Sequence, residues 1–132
     1  MTLRAPDQEP TASPRDILAE AARLCPEALE VLLVDADGVL VERHRITDSP
    51  LDAEEVGVQV VAAIPALAGA SSASKIGAFQ EWMLQGDRGV VIVRRVPLVD
   101  MFLVLLVPAR TWTGKARFTA RVLAGRMAAA LA

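Results

Sequence analysis

The chain has 132 residues, 53% of them apolar, 23% charged and 4% aromatic, with a formal net charge of −2 and a mean hydropathy of +0.37. That length fits one domain with a sizeable core, and the near-neutral balance with few aromatics argues against nucleic-acid binding. No uninterrupted apolar stretch reaches the ~18–20 residues of a membrane-spanning helix, so the excess apolar surface points to burial against another protein chain and not to membrane insertion.

Cys25 is the single cysteine. With no internal disulfide possible and no charged-then-apolar leader, the expected setting is the reducing cytoplasm. The charge is unevenly placed. Residues 1–100 hold 9 Lys/Arg and 16 Asp/Glu, whereas residues 101–132 hold five bases and no acid. A basic C-terminal helix of that kind suits an acidic protein surface.

Residues 1–12 are polar, contain proline and lack periodicity, which predicts a flexible tail; residues 13–132 are expected to form the domain. Ser13-Pro14-Arg15-Asp16 is a helix start, with Ser as N-cap, Pro at the first helical position and an acid at the third. Ile17, Leu18, Ala21, Ala22 and Leu24 make its apolar stripe, and Pro26 ends it. Two apolar, β-branched runs follow, roughly Ala28–Val34 and Val39–His44, joined by Asp35-Ala36-Asp37-Gly38. Asp-Gly between such runs predicts a hairpin, because Gly adopts positive φ without steric penalty.

Ser49-Pro50-Leu51-Asp52 repeats the start signal. Val56, Val60, Ile64 and Leu67 or Ala68 then carry the i, i+4 spacing of a helix from about Pro50 to about Ala70. This helix has almost no charge after Glu55, so it lacks a solvated face and requires cover on two sides. Pro65 is expected to kink it, freeing the carbonyl of Val61. Ser71–Lys75 reads as a link. Ala78–Gln85 is a strand of mixed polarity, with Phe79 and Trp82 expected on opposite faces. Gly86-Asp87-Arg88-Gly89 is a hairpin turn, Val90–Val96 the next strand, and Val99–Val107 the most apolar and so the central one. The last helix begins at Thr111 or Thr113, with Ala116, Ala120, Leu123, Ala124, Met127 and Leu131 facing the core and Phe118 and Val122 on its far side.

Few residues carry chemistry. His44, the only histidine, has no second ligand near it in sequence and receives no role. Asp35-x-Asp37-Gly resembles the first motif of haloacid-dehalogenase-type phosphohydrolases, in which the two carboxylates act as nucleophile and general acid/base. That reading requires a later acidic pair and a parallel crossover of a dozen or more residues. Here Asp100 is the last acid, and a strand follows the motif at once. A Walker-type phosphate loop is also missing. Hence no catalytic, cofactor-binding or metal-ligating residue is expected.

The element order is α-β-β-α-β-β-β-α, an α/β (α+β) sandwich with a five-stranded antiparallel sheet and helices on both faces. This order resembles the roadblock/dynein light-chain family, whose fold is profilin-like. Further likeness lies in Val-Asp-Ala-Asp-Gly-Val of the first hairpin, Asp52-Ala53-Glu54-Glu55 before a small-residue central helix, the Gly86–Gly89 turn, and Thr113-Gly114-Lys115, which looks most like bacterial MglB-type members. The resemblance covers about Pro14 to Ala132. It implies a non-enzymatic regulator that forms homodimers, or heterodimers with a paralogue, through the central helix and third strand, and that binds a small Ras-like GTPase, in the MglB-type subgroup as a GTPase-activating protein. The implied interface residues are Val56, Val60, Ala63, Ile64, Leu67, Phe79 and Trp82. The alternative is a scaffold or adaptor of the same fold that leaves GTP hydrolysis unchanged.

Overall fold

The computed structural model describes residues 12–132; the expected tail, apart from Ala12, lies outside the described residues. Along the chain come α1 (Pro14–Ala19), α2 (Ala21–Leu24), β1 (Glu30–Asp35), β2 (Leu40–Arg45), α3 (Ala53–Ala73), β3 (Glu81–Gln85), β4 (Gly89–Arg95), β5 (Met101–Pro108) and α4 (Thr113–Leu131). The strands form one sheet in the order β2-β1-β5-β4-β3, every pair antiparallel. β5 is central, as its unbroken apolar run requires. The fold class is the α+β sandwich read from the element order.

The period of two divides the apolar side chains between two cores. Val31, Leu33, Ile92, Leu103 and Leu105 pack under α1, α2 and α4, together with Ile17, Leu18, Ala120, Leu123 and Met127. Leu32, Val34, Val93, Val104 and Leu106 face the other way, where α3 supplies Ala53 and Val60. The α4 stripe is the one its spacing predicts.

Local chemistry sets the ends. The Ser13 hydroxyl accepts from the Asp16 N–H at 3.2 Å, and the Asp16 carboxylate accepts from the Ser13 N–H, a reciprocal cap. The sequence predicts one helix here; the structure divides it at Glu20 into α1 and α2. α3 begins at Ala53, because Asp52 and not Ser49 caps it: its carboxylate accepts from the Glu55 N–H at 3.2 Å. It also runs on to Ala73, through the segment read as a link, and stays helical across Pro65. β3 is shorter than expected, Glu81–Gln85, so Phe79 precedes the strand. The strand alternation does not reach it, and Phe79 and Trp82 pack on the same α3-side core.

α3 is long and apolar enough to cross a membrane by length and composition alone, a property hidden from a search for uninterrupted apolar runs by Gly57 and Gln59. In the fold it lies on the sheet, held by a close approach to the first hairpin. A Cβ on Gly57 would sit 3.2 Å from the Gly38 carbonyl and 3.4 Å from both Val34 methyls; one on Gly38, at φ +85°, would sit 3.3 Å from the Val58 Cα.

Two outcomes are expected. Gly57→Leu should cost about 2 kcal/mol by overpacking this contact, read as a lower midpoint in urea with an unchanged slope. Cys25 is fully buried, and desolvation, with Glu27 beside it adding a smaller push, raises its thiol above the ordinary value. It should resist a thiol-specific disulfide reagent in the native protein and react only as fast as the chain unfolds.

Candidate partner interface

The side of the sheet covered by α3 is incompletely closed. Of the most apolar 18-residue window of α3, 17% is buried. At about 100° per residue, Ala53, Gly57, Val60 and Ser71 fall on the face against the sheet, and these are its buried residues. Val58, Ala62, Pro65, Ala66 and Gly69 fall on the reverse face and are exposed, Val58 by 50%. The reverse face is thus smooth, small-residued and uncharged beyond Glu55.

Beside α3 runs an open sheet edge. β3 pairs only with β4, leaving its other backbone edge free among the described residues. Leu84 is 60% exposed and Met83 42%. Between the helix and this edge lies an apolar cavity of about 320 Å³, lined by Val56, Gln59, Val60, Ala63, Trp82 and Leu84, among others. The Trp82 indole N–H is buried with no hydrogen-bond partner. An exposed apolar helix, an unpaired strand edge and an apolar cleft between them form a continuous surface suited to another protein chain.

The seven residues expected at an interface fall differently on this surface. Val60 is 4% exposed and belongs to the protomer's own core. Val56, Ile64, Phe79 and Trp82 are half-buried and pack against that core from its rim. Ala63 and Leu67 are half-buried on α3. The i, i+4 stripe picked from the sequence therefore selects the side of α3 that meets its own sheet. Val58, Ala62 and Ala66, half a turn away, and Leu84, two residues beyond Trp82 on the same strand face, are exposed and lie outside that set.

The Asp35-x-Asp37-Gly turn has a structural use. Asp35 Oδ1 accepts from the N–H groups of Asp37 at 2.9 Å and Val39 at 3.0 Å, while the Gly38 N–H donates to the Asp35 carbonyl at 3.0 Å. Its carboxylate is spent on shaping the hairpin. Among the described residues no cluster of three or more His, Cys, Asp or Glu could hold a metal ion.

No protein-family model and no curated protein matches the sequence. Solved structures do. An MglB with a tetrameric arrangement superposes with a TM-score of 0.80 at 20% identity, covering 96% of each chain. The gliding protein MglB from Thermus thermophilus gives 0.79 at 20% identity, again over 96% of each chain. A roadblock/LC7 domain from Streptomyces avermitilis gives 0.71 at 13% identity, covering 82% of this chain and 88% of that one. The chain has the roadblock/LC7 fold.

In this roadblock fold α3 ends in a Schellman motif. The Lys75 N–H donates to the Ser72 carbonyl at 3.1 Å and the Ile76 N–H to the Ser71 carbonyl at 3.4 Å. The left-handed position of the motif, at φ +57°, is held by Lys75 and not by glycine. Lys75→Gly should therefore raise stability by about 1 kcal/mol, measured as an increase in Tm by differential scanning calorimetry.

Proposed function

We propose that this protein is a dimeric, non-catalytic regulator of a small Ras-like GTPase, working in the cytoplasm. The observation that carries the reading is the uncovered α3 face beside the open β3 edge, on a fold shared with MglB proteins. Two copies brought together about a twofold axis would pair their β3 strands and pack α3 against α3, an isologous contact that removes the free edge and the apolar face together. Val56, Ala63, Leu67, Trp82 and Leu84 would line the seam, with Gln59 and Ala66 on the outer side of its helical part. The small side chains of that face let helix axes approach closely, so the contact would gain from dense packing. The GTPase would supply the reacting groups and the nucleotide; this chain would act by holding it in its active geometry, and on that account would hydrolyse no GTP alone.

Light scattering over a dilution series should give twice the chain mass. Leu84→Asp, at a side chain 60% exposed on β3, leaves the protomer folded but puts an unpaired charge in the seam, a cost of about 3 kcal/mol. It should weaken the dimer by roughly 100-fold or more. Val60→Asp strikes the protomer core instead and should lower the unfolding midpoint. Stimulation of GTP turnover in a co-purified small GTPase should fall with Leu84→Asp in proportion to the dimer lost. A monomer at all concentrations in the unmodified protein would overturn the reading, and a bound GTPase with an unchanged rate would replace it with an adaptor role.

A further inference from the structure

On the opposite flank of α3 from β3, near the helix C terminus, lies an open cavity of about 540 Å³. Its floor is apolar, made by Ile64, Phe79 and Phe102, and its rim carries Lys75, Arg95 and Ser72. Eight other Lys and Arg side chains of the described residues have carboxylate partners: Arg15, Arg23, Arg43, Arg45, Arg94, Lys115, Arg117 and Arg126. Among the described residues Lys75, Arg88, Arg95, Arg110 and Arg121 have none, and of these five Lys75 and Arg95 flank this one cavity. Arg95 is the exposed last residue of β4, whereas its neighbour Arg94 is turned to the other face and engaged with Glu81. Lys75 is held over the cavity by a left-handed backbone conformation that glycine would adopt more cheaply.

We infer that this cavity docks an acidic peptide segment of a partner protein, with one large apolar side chain on the Ile64–Phe79–Phe102 floor and flanking carboxylates on Lys75 and Arg95. The lining selects this ligand over a compact phosphate. The helix end beside the cavity is the C terminus of α3, whose last carbonyls are engaged by the Schellman motif and which offers no free N–H groups to a phosphate. A phosphate site is normally built from the N–H groups of a helix N terminus. Two separated cations around an apolar floor match carboxylates spread along a chain. In a dimer joined through β3 and the side of α3 next to it this flank stays open, so each protomer would present one such site, and its occupation does not require the dimer.

The probe is a fluorescein-labelled, amidated hexapeptide, Asp-Glu-Phe-Leu-Glu-Asp, titrated with the full chain and followed by anisotropy at low salt. Saturable binding is expected, weakening as salt screens the charges. Lys75→Gly suits the local backbone and Arg95→Gln is at the surface, so both keep the fold, checked by thermal melting. Each should weaken binding several-fold and the pair by about tenfold or more. Ala68→Trp, which fills the cavity from exposed α3, should abolish it, while Arg110→Gln, distant and also unpaired, should change nothing. Absence of saturable binding, or equal loss with Arg110→Gln, overturns the proposal. So does displacement of the peptide by inorganic phosphate at an ionic strength where chloride leaves it bound, which would make the cavity a small-anion site.

Discussion

Neighbouring strands lie about 4.8 Å apart, so a five-stranded sheet is roughly 20 Å wide, whereas one helix covers about 10 Å. The face under α1, α2 and α4 is closed by three helices, and its core is continuous. The other face has α3 alone. Whatever the side chains, one helix cannot close that face, and the cavities on both flanks of α3 follow from this mismatch of widths. The same mismatch leaves apolar area uncovered on α3 and at the edge of β3, where Val58, Met83 and Leu84 are exposed.

Where α3 lies on the face is decided by two glycines. The backbone contact of Gly57 with Gly38 draws the N-terminal half of the helix onto the β1–β2 turn and away from β3. The Asp35 carboxylate holds that turn in shape by accepting two backbone N–H groups. A motif with the outline of a phosphohydrolase site is thus the seat for a helix, and the cleft opens on the side the helix leaves. Sequence to turn, turn to helix position, and helix position to exposed edge form one chain of cause.

Much of the architecture was legible because it rests on local rules. Apolar runs bounded by turn signals named the strands, the unbroken run of β5 named its central place, the Ser13 cap placed α1, and spacing picked the buried stripe of α4. Other features depend on contacts between distant residues and were not legible. Periodicity finds the apolar stripe of α3 but is silent on whether that stripe meets its own sheet or another chain when both sides are apolar. Val60 therefore proved internal and Val58 external. Phe79 was misplaced because the strand starts two residues later, at Glu81, and alternation holds only inside a strand. Asp52 outcompeted Ser49 as a cap, a choice between two good caps that their types alone do not make.

The charge asymmetry of the sequence also changes meaning once folded. The five bases after residue 100 look like a free basic surface, yet Lys115 binds Glu27 at 2.9 Å, Arg117 binds Glu81 at 2.7 Å, and Arg126 pairs with Glu20. These pairs tie α4 to the segment after α2, to β3 and to α1. Lys115 lowers the Glu27 carboxyl below its ordinary value through their hydrogen bond, so this contact favours the fold above the ordinary carboxylate range and is lost as pH falls through the depressed value. Being exposed, it contributes orientation more than stability. The basic segment is therefore mostly spent within the protomer, on the face that is already closed. Lys75 and Arg95, with no carboxylate partner, lie on the face that is not, so two free cations adjoin free apolar area on the side that one helix cannot cover.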